Sequence, residues 1–524
     1  MRLSDVEANK DIPVERNTTS LDEEGSARGD SPPPHNYSKA RLIALVATVT
    51  GAAFLNTLGV QAAVIVLPTI GHDLGIPDSR QQWIVSAYSL TFGCFLLFFG
   101  RLADVYGKKL IFILGSIWLT VVSIVIPFVS NEITFDVLRG LQGLGAAANV
   151  PTAIGILGVT FSPGKAKNYA FTCYGAGAPM GSIFGNILGG VVAEYVSWKW
   201  VFWILAILCA LVSVAGQFII PEPSSTEHGY GLKSSVDWIG GTLITIGLLA
   251  LMFALTEGNV VGWNEPWISA LIVVSVVLVI LFVIWQWYLE HKTTKRPLMK
   301  VSIWNNMRFS SAMIIMALFF ASFNNFLIFA TYFYQEYLGL SVIQTTLRFV
   351  PTGVTGVLVA FVTAQILSRI RGSYILMFGT LCVGIACLLF AVPISTNTTY
   401  WAYGFPAMCL SVFGADTLYP CLTLFTAQSL PHEDQAMGGG LINAVGQVGR
   451  SIGLAIGTAV EVAVIARQKN MDTSTVGTTD LELRDSAMLD GLRAAQWLSS
   501  GFALAACLVA GFAFRHAGKV GHKH

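Results

Sequence analysis

Charge is scarce in this chain, and four charged side chains stand where it is most expensive. Asp416 and Arg450 lie well inside long apolar runs, and Asp136 and Arg139 occupy the first turns of another. An ionisable group at bilayer depth costs on the order of 3 kcal/mol or more, so such residues mark proton sites, substrate contacts or buried partners. Asp416 reads either as a protonatable coupling site or substrate contact, or as half of an ion pair with Arg450 on the following run. Arg139 reads either as a functional cation or as the partner of Asp136. Glu257, Glu336, Arg348 and Glu461 fall nearer run ends, where a long side chain can reach the interface and relieve most of the cost.

Uncharged polar residues form a second set. Asn56, Thr57 and Gln61 share the first apolar run, and Asn324, Asn325 and Tyr332 share the ninth. Any one of them is explained by a hydrogen bond between helices. As a group they are the candidate substrate contacts. Glycines recur at four-residue spacing at Gly177, Gly181, Gly185 and Gly189, and again at Gly449, Gly453 and Gly457. That spacing permits close helix packing, the smooth kind that rocking bundles need.

The elements that must position these residues are membrane spans. Mean hydropathy is +0.64 and charged residues make up 12%, about half the share of an ordinary globular protein. Roughly fourteen runs are long enough to cross a ~30 Å hydrocarbon core as helix. They predict an all-α polytopic membrane protein. Its expected parts are a disordered tail at 1–40, six spans over 41–221, a polar linker at 222–236, an added two-helix hairpin and basic loop over 237–300, six spans over 301–514, and a short tail at 515–524. No signal-peptide pattern precedes the first run, which is therefore expected to act as its own insertion signal.

The stretch from Gly100 to Lys109, with Arg101, Asp104, Gly107 and Lys108, reads as a tight basic turn between two spans. Its cations favour the side that retains Lys and Arg, which sets the cytoplasmic face. Residues 364–380 echo residues 100–116 loosely, with Gly379 over Gly115, which points to two related halves.

Other chemistries find no footing. A net charge of +1 gives no case for nucleic acid, and the eight cysteines form no CxxC, so neither a disulfide framework nor a zinc site is expected. All eight histidines fall in tails or loops, which argues against a histidine relay. No Gly-x-x-x-x-Gly-Lys-Ser/Thr loop is present for nucleotide, so neither an enzyme, a metal nor a cofactor is expected. Asn397, in an Asn-Thr-Thr sequon on an outer loop, is a candidate glycosylation site.

Three motifs carry a family resemblance. Gly100–Lys109 resembles the signature between spans two and three of the major facilitator superfamily. The stretch from Arg139 to Ala147, RGLQGLGAA, resembles its fourth-span motif, and Gly185-Asn186-Ile187-Leu188-Gly189-Gly190 resembles the antiporter motif of span five. With fourteen spans the chain is similar to the drug:proton antiporters with a central hairpin, and among them to fungal aminotriazole- and boron-resistance exporters. The chain departs from that pattern at Gly59, where many members carry an acid, at Asn186 in place of proline, and at Val105 in place of arginine.

The resemblance implies a proton-coupled exporter of small toxic compounds or metabolites working by alternating access. It assigns Arg139 to a proton-linked relay, with Asp136 and Arg450 as further candidates for it, Asp104 and Arg101 to a latch between halves, and, with the span-one acid missing, moves proton coupling to Asp416. A monomer in the plasma membrane is expected, with the vacuolar membrane second. An uncoupled facilitator, a siderophore- or amino-acid-type transporter and a transporter-like solute sensor are the alternatives.

Overall fold

The computed structural model describes residues 37–76, 83–162, 164–222, 236–263, 265–367, 369–392, 398–431, 434–471, 476 and 483–515. The expected terminal tails, most of the linker and Asn397 lie outside them. Among the described residues are fourteen long helices: α1 (Lys39–Leu74), α2 (Trp83–Tyr106), α3 (Lys108–Val125), α4 (Glu132–Thr160), α5 (Lys165–Tyr195), α6 (Lys199–Ile219), α7 (Trp238–Val261), α8 (Pro266–Lys292), α9 (Met307–Tyr332), α10 (Val342–Ile366), α11 (Gly372–Ala391), α12 (Tyr400–Ser429), α13 (Gln435–Lys469) and α14 (Ser486–Ala513). Thirteen are long and apolar enough to cross a membrane. The exception is α5, diluted by its glycines.

Local chemistry sets several starts. Ser38 accepts from the Arg41 N–H at 3.3 Å, Asn131 from Thr134 at 2.8 Å, and Ser341 forms a capping box with Gln344 at the head of α10.

Helix pairing repeats across the chain. In the first half α1 packs on α5 and α6, α2 on α4, and α3 on α4 and α6; in the second half α9 packs on α13 and α14, α10 on α12, and α11 on α12 and α14. Two six-helix bundles follow, joined along two seams, α2 with α13 and α5 with α10.

The spaced glycines explain the tightest pairs. A Cβ on Gly181 would lie 2.3 Å from the Phe54 carbonyl of α1, and one on Gly449 would lie 2.3 Å from the Ala317 carbonyl of α9. No side chain can replace either without separating the backbones. The 100–116 echo also has a packing counterpart: Gly115 meets the Gly145 carbonyl on α4, and Gly379 meets the Gly414 carbonyl on α12.

The added hairpin, α7 and α8, lies outside both bundles. Helix α7 touches both α2 and α13, so it lies along one seam. Met252 approaches Gly93 there, and Phe98 stacks near Trp238 at 5.7 Å. Asp237 ties the hairpin together, accepting from Trp285 Nε1 at 3.0 Å and Gln286 Nε2 at 2.6 Å.

The predicted turn at Gly100–Lys109 needs correction. Helix α2 continues to Tyr106 and α3 begins at Lys108, so the break is the single residue Gly107, with φ +103°. Gly100, Arg101 and Asp104 are helical. Their polar groups find partners on another helix, so nothing forces the chain to unwind.

Candidate functional site

The basic end of the α2–α13 seam is a clamp built from both halves. Arg101 Nη1 donates to Asp434 Oδ1 at 2.8 Å, and Lys300 Nζ stands 3.8 Å from the other oxygen. Asp104 accepts from the backbone N–H groups of Ala436 at 3.2 Å and Met437 at 2.7 Å, and pairs with Lys108 at 3.1 Å. Those N–H groups are unpaired donors at the head of α13, so a carboxylate from the other half completes that helix start and meets its positive dipole end.

Steric fit reinforces the charge. A Cβ on Gly100 would stand 2.7 Å from the Ala436 carbonyl, one on Gly155 2.7 Å from the Ala436 side chain, and one on Gly440 2.3 Å from the Leu96 carbonyl. The start of α13 is thus seated in a groove of α2 and α4. Asp434, Gly155 and the run Gly438-Gly439-Gly440 were not among the sequence candidates. An aspartate just before an apolar run is a helix-start signal, and that signal was available.

Arg139 is fully buried in the first bundle. Its Nε donates to the Ile84 carbonyl at 2.8 Å, Nη1 bonds Gln142 Oε1, and its guanidinium lies 4.9 Å from the Tyr88 ring and 5.7 Å from that of Phe202. Gln142 passes the connection to Ser123 on α3 at 2.7 Å, and the Tyr88 hydroxyl bonds Asn56 on α1. One network therefore spans four helices. Asp136, one turn before it on α4, lies close enough to act on the guanidinium electrostatically. Asn56 also lines a small space with Ser116 and Asn149, with room for about one water.

Asp416 lies where three helices meet. A Cβ on Gly356 of α10 would stand 2.8 Å from its Oδ2 and 2.9 Å from Pro179 of α5, and that buried oxygen has no hydrogen-bond partner. Arg450 does not pair with it. The guanidinium lies 4.3 Å from the Phe320 ring, its Nε unpartnered, while Phe320 packs on Tyr419, whose hydroxyl donates to Asn443 at 3.2 Å. The ion-pair alternative for Asp416 is thereby replaced: Arg450 is spent on an aromatic face, and the carboxylate is left alone.

The polar set divides. Gln61 donates to Ser182 of α5 at 3.1 Å, and Asn325, fully buried, donates to the Gly453 carbonyl at 2.9 Å; both tie helices together. Asn324 and Tyr332 are half-buried. In the antiporter motif Gly185 and Gly189 face the backbone of α1, Gly190 meets nothing within 4 Å, and Asn186 is half-buried. Glu461 is another correction. It does not reach an interface but is only 7% exposed, whereas Glu336 is exposed as its place near a run end predicts.

The comparisons with known proteins agree with this architecture. The sequence model of the Major Facilitator Superfamily matches residues 49–235 and 228–454. The low affinity ammonium transporter of Saccharomyces cerevisiae is 32% identical over 80% of this chain and 82% of its own length. The efflux pump terJ of Aspergillus terreus is 30% identical over 90% and 88%, and the aminotriazole resistance protein of S. cerevisiae 26% identical over 87% and 81%.

Among solved structures, the human organic anion transporter MFSD10 superposes with a TM-score of 0.61 at 16% identity, covering 90% of this chain and 99% of that one. The proton:xylose symporter XylE gives 0.61 at 11% identity, covering 90% and 95%. Two bundles joined along paired seams, a cross-half clamp at the end of the second helix and matches over most of the chain lead to one conclusion: this multi-pass membrane protein belongs to the major facilitator superfamily of transporters.

Proposed function

We propose that the protein is a proton-coupled antiporter that exports small toxic compounds or metabolites by rocking its two bundles about a midplane site. The observation that carries this is Asp416. Its buried, unpartnered carboxylate oxygen sits at the seam where α12 and α10 meet α5 of the other half. A group in that position couples protonation to seam geometry, because charge there is costly and neutrality removes the cost.

Arg139, with Asp136 beside it and Gln142 and Tyr88 as partners, serves as the relay within the first bundle, and Arg450 as its counterpart in the second. Gly100, Arg101, Asp104, Gly107 and Lys108 form the switch, here closed at the basic end, which we assign to the cytoplasm. Asn324, Tyr332 and Asn56 are the substrate contacts we favour, with Gln61 and Asn325 shaping the site from behind. Efflux is supported by terJ and the aminotriazole resistance protein, which are named for export and resistance. The plasma membrane, a monomeric state and glycosylation at Asn397 complete the proposal.

The test is transport in reconstituted vesicles, with a panel including aminotriazole, borate, azoles and polyamines, with and without an imposed pH gradient. Gradient-driven accumulation supports antiport. Transport that only equilibrates would instead establish the uncoupled facilitator, which Gly59 in place of a span-one acid favours. No transport of any compound would leave the solute sensor.

A further inference from the structure

Three hydrogen-bond donors on neighbouring turns of α9 and α10 lack acceptors at the end of the second bundle away from the clamp. Helix α9 runs on into a π-helical turn, Phe333–Tyr337, a rare geometry that recurs at functional sites. The turn presents Tyr334 to α10 and α12. Arg348 of α10 lies over its ring, 5.3 Å from the centroid, and 5.7 Å from the ring of Tyr400 on α12. Tyr400 holds the arrangement by donating to the Arg348 carbonyl at 2.7 Å. Among the described residues no carboxylate pairs with the guanidinium, and it donates no hydrogen bond.

The Tyr334 hydroxyl, on a side chain 1% exposed, and the hydroxyl of Thr345, 4% exposed and one helical turn from Arg348, are both buried without partners. A Cβ on Gly404 would lie 2.6 Å from the Tyr334 hydroxyl, so only a glycine there lets the hydroxyl keep its place. Leaving a buried donor without an acceptor is costly. A guanidinium and two hydroxyls unmet together are the complement of a single ligand rich in acceptors and negative in charge.

We infer that Arg348, Tyr334 and Thr345 form a binding site for a small organic carboxylate, beyond the proton coupling proposed above. The aromatic walls of Tyr334, Tyr400 and Phe349 suit a flat or apolar body, and the guanidinium takes the carboxylate. Lipid is the other source of oxyanions. The lipid-facing stripe of α10 is marked by the exposed Ile343, Leu347, Val354 and Leu358. At 3.6 residues per turn, Arg348 projects roughly 110° away from it. A soluble carboxylate is the occupant the geometry favours.

The test is equilibrium binding of radiolabelled benzoate to the full-length protein in nanodiscs of zwitterionic lipid, with benzamide as a neutral competitor. Saturable binding that benzamide fails to displace is expected. Arg348→Gln should weaken it about tenfold or more, Tyr334→Phe about fivefold, and Gly404→Ala should weaken it while Arg348→Lys retains part of it. Each variant is first checked for a monodisperse elution profile. The absence of saturable binding, displacement by benzamide, or unchanged affinity in a well-folded Arg348→Gln protein would overturn the inference. Loss of benzoate binding in nanodiscs containing phosphatidylserine would overturn the soluble occupant and assign the site to a headgroup. No gradient is present in this assay, so its failure leaves the antiport reading standing, and a failure of antiport leaves this site standing.

Discussion

The two seams between the bundles are built on one plan and carry different chemistry. Along α2 and α13, Arg101 reaches Asp434, Asp104 caps the start of α13, and glycines at 100, 155 and 440 admit its backbone. Along α5 and α10, no ion pair is found among the described residues. Ile183 presses on Gly353, Pro179 on Gly356, and Asp416 lies beside them with a bare oxygen. The sequence position aligned with Asp104 is Ser368, which offers no carboxylate. In the proposed mechanism the first seam holds one state by charge-assisted hydrogen bonds, and the second places a titratable group where holding or releasing a proton would change the fit. On that proposal, symmetric packing divides into a latch and a sensor.

This division can be broken from either side, and steric changes at the latch should act most strongly. Gly440→Leu would drive a side chain into the Leu96 carbonyl and keep the seam from closing. Transport by the variant is expected to fall at least about tenfold, with cysteines placed at the basic end becoming reactive to soluble thiol reagents. Next is Asp104→Asn, which removes the charge but keeps the shape. Helix-end and ion-pair contributions of about 1–3 kcal/mol predict a shift of about tenfold or more toward the open basic end, readable by the same labelling. An unchanged labelling pattern would show that the clamp is only a packing contact.

On the sensor seam, Gly356→Ala adds a methyl group 2.8 Å from Asp416. Gradient-driven transport should drop several-fold while equilibrative exchange persists. The smallest effect is expected for Gln61→Ala, which loses one interhelical hydrogen bond to Ser182, worth about 0.6 kcal/mol. Its transport should change less than about twofold; abolished transport would return Gln61 to the substrate site.

The sequence made the helices legible because spans are long apolar runs, and each of the fourteen expected ones is found as a helix. The close pairs were legible for the same kind of reason, since glycines every four residues leave few alternatives to backbone contact. Partnerships were harder. Arg450 and Asp416 sit on consecutive helices, so pairing looked natural, but helical phase turns Arg450 toward Phe320. Glu461 lies eight residues before the end of α13, close enough to an interface in sequence to snorkel, yet neighbouring helices bury it. Asp434 and Arg348 escaped notice as functional residues because what distinguishes them, a partner 333 residues away in one case and two tyrosine rings in the other, is created only by the fold.

The central claim is that Asp416 binds the coupling proton. Asp416→Asn, nearly identical in shape and permanently neutral, tests it in reconstituted vesicles. The account predicts that the variant still exchanges substrate across the membrane at equilibrium but no longer accumulates it when a pH gradient is imposed. Gradient-driven accumulation at the wild-type level by Asp416→Asn would contradict the account and move the proton site elsewhere.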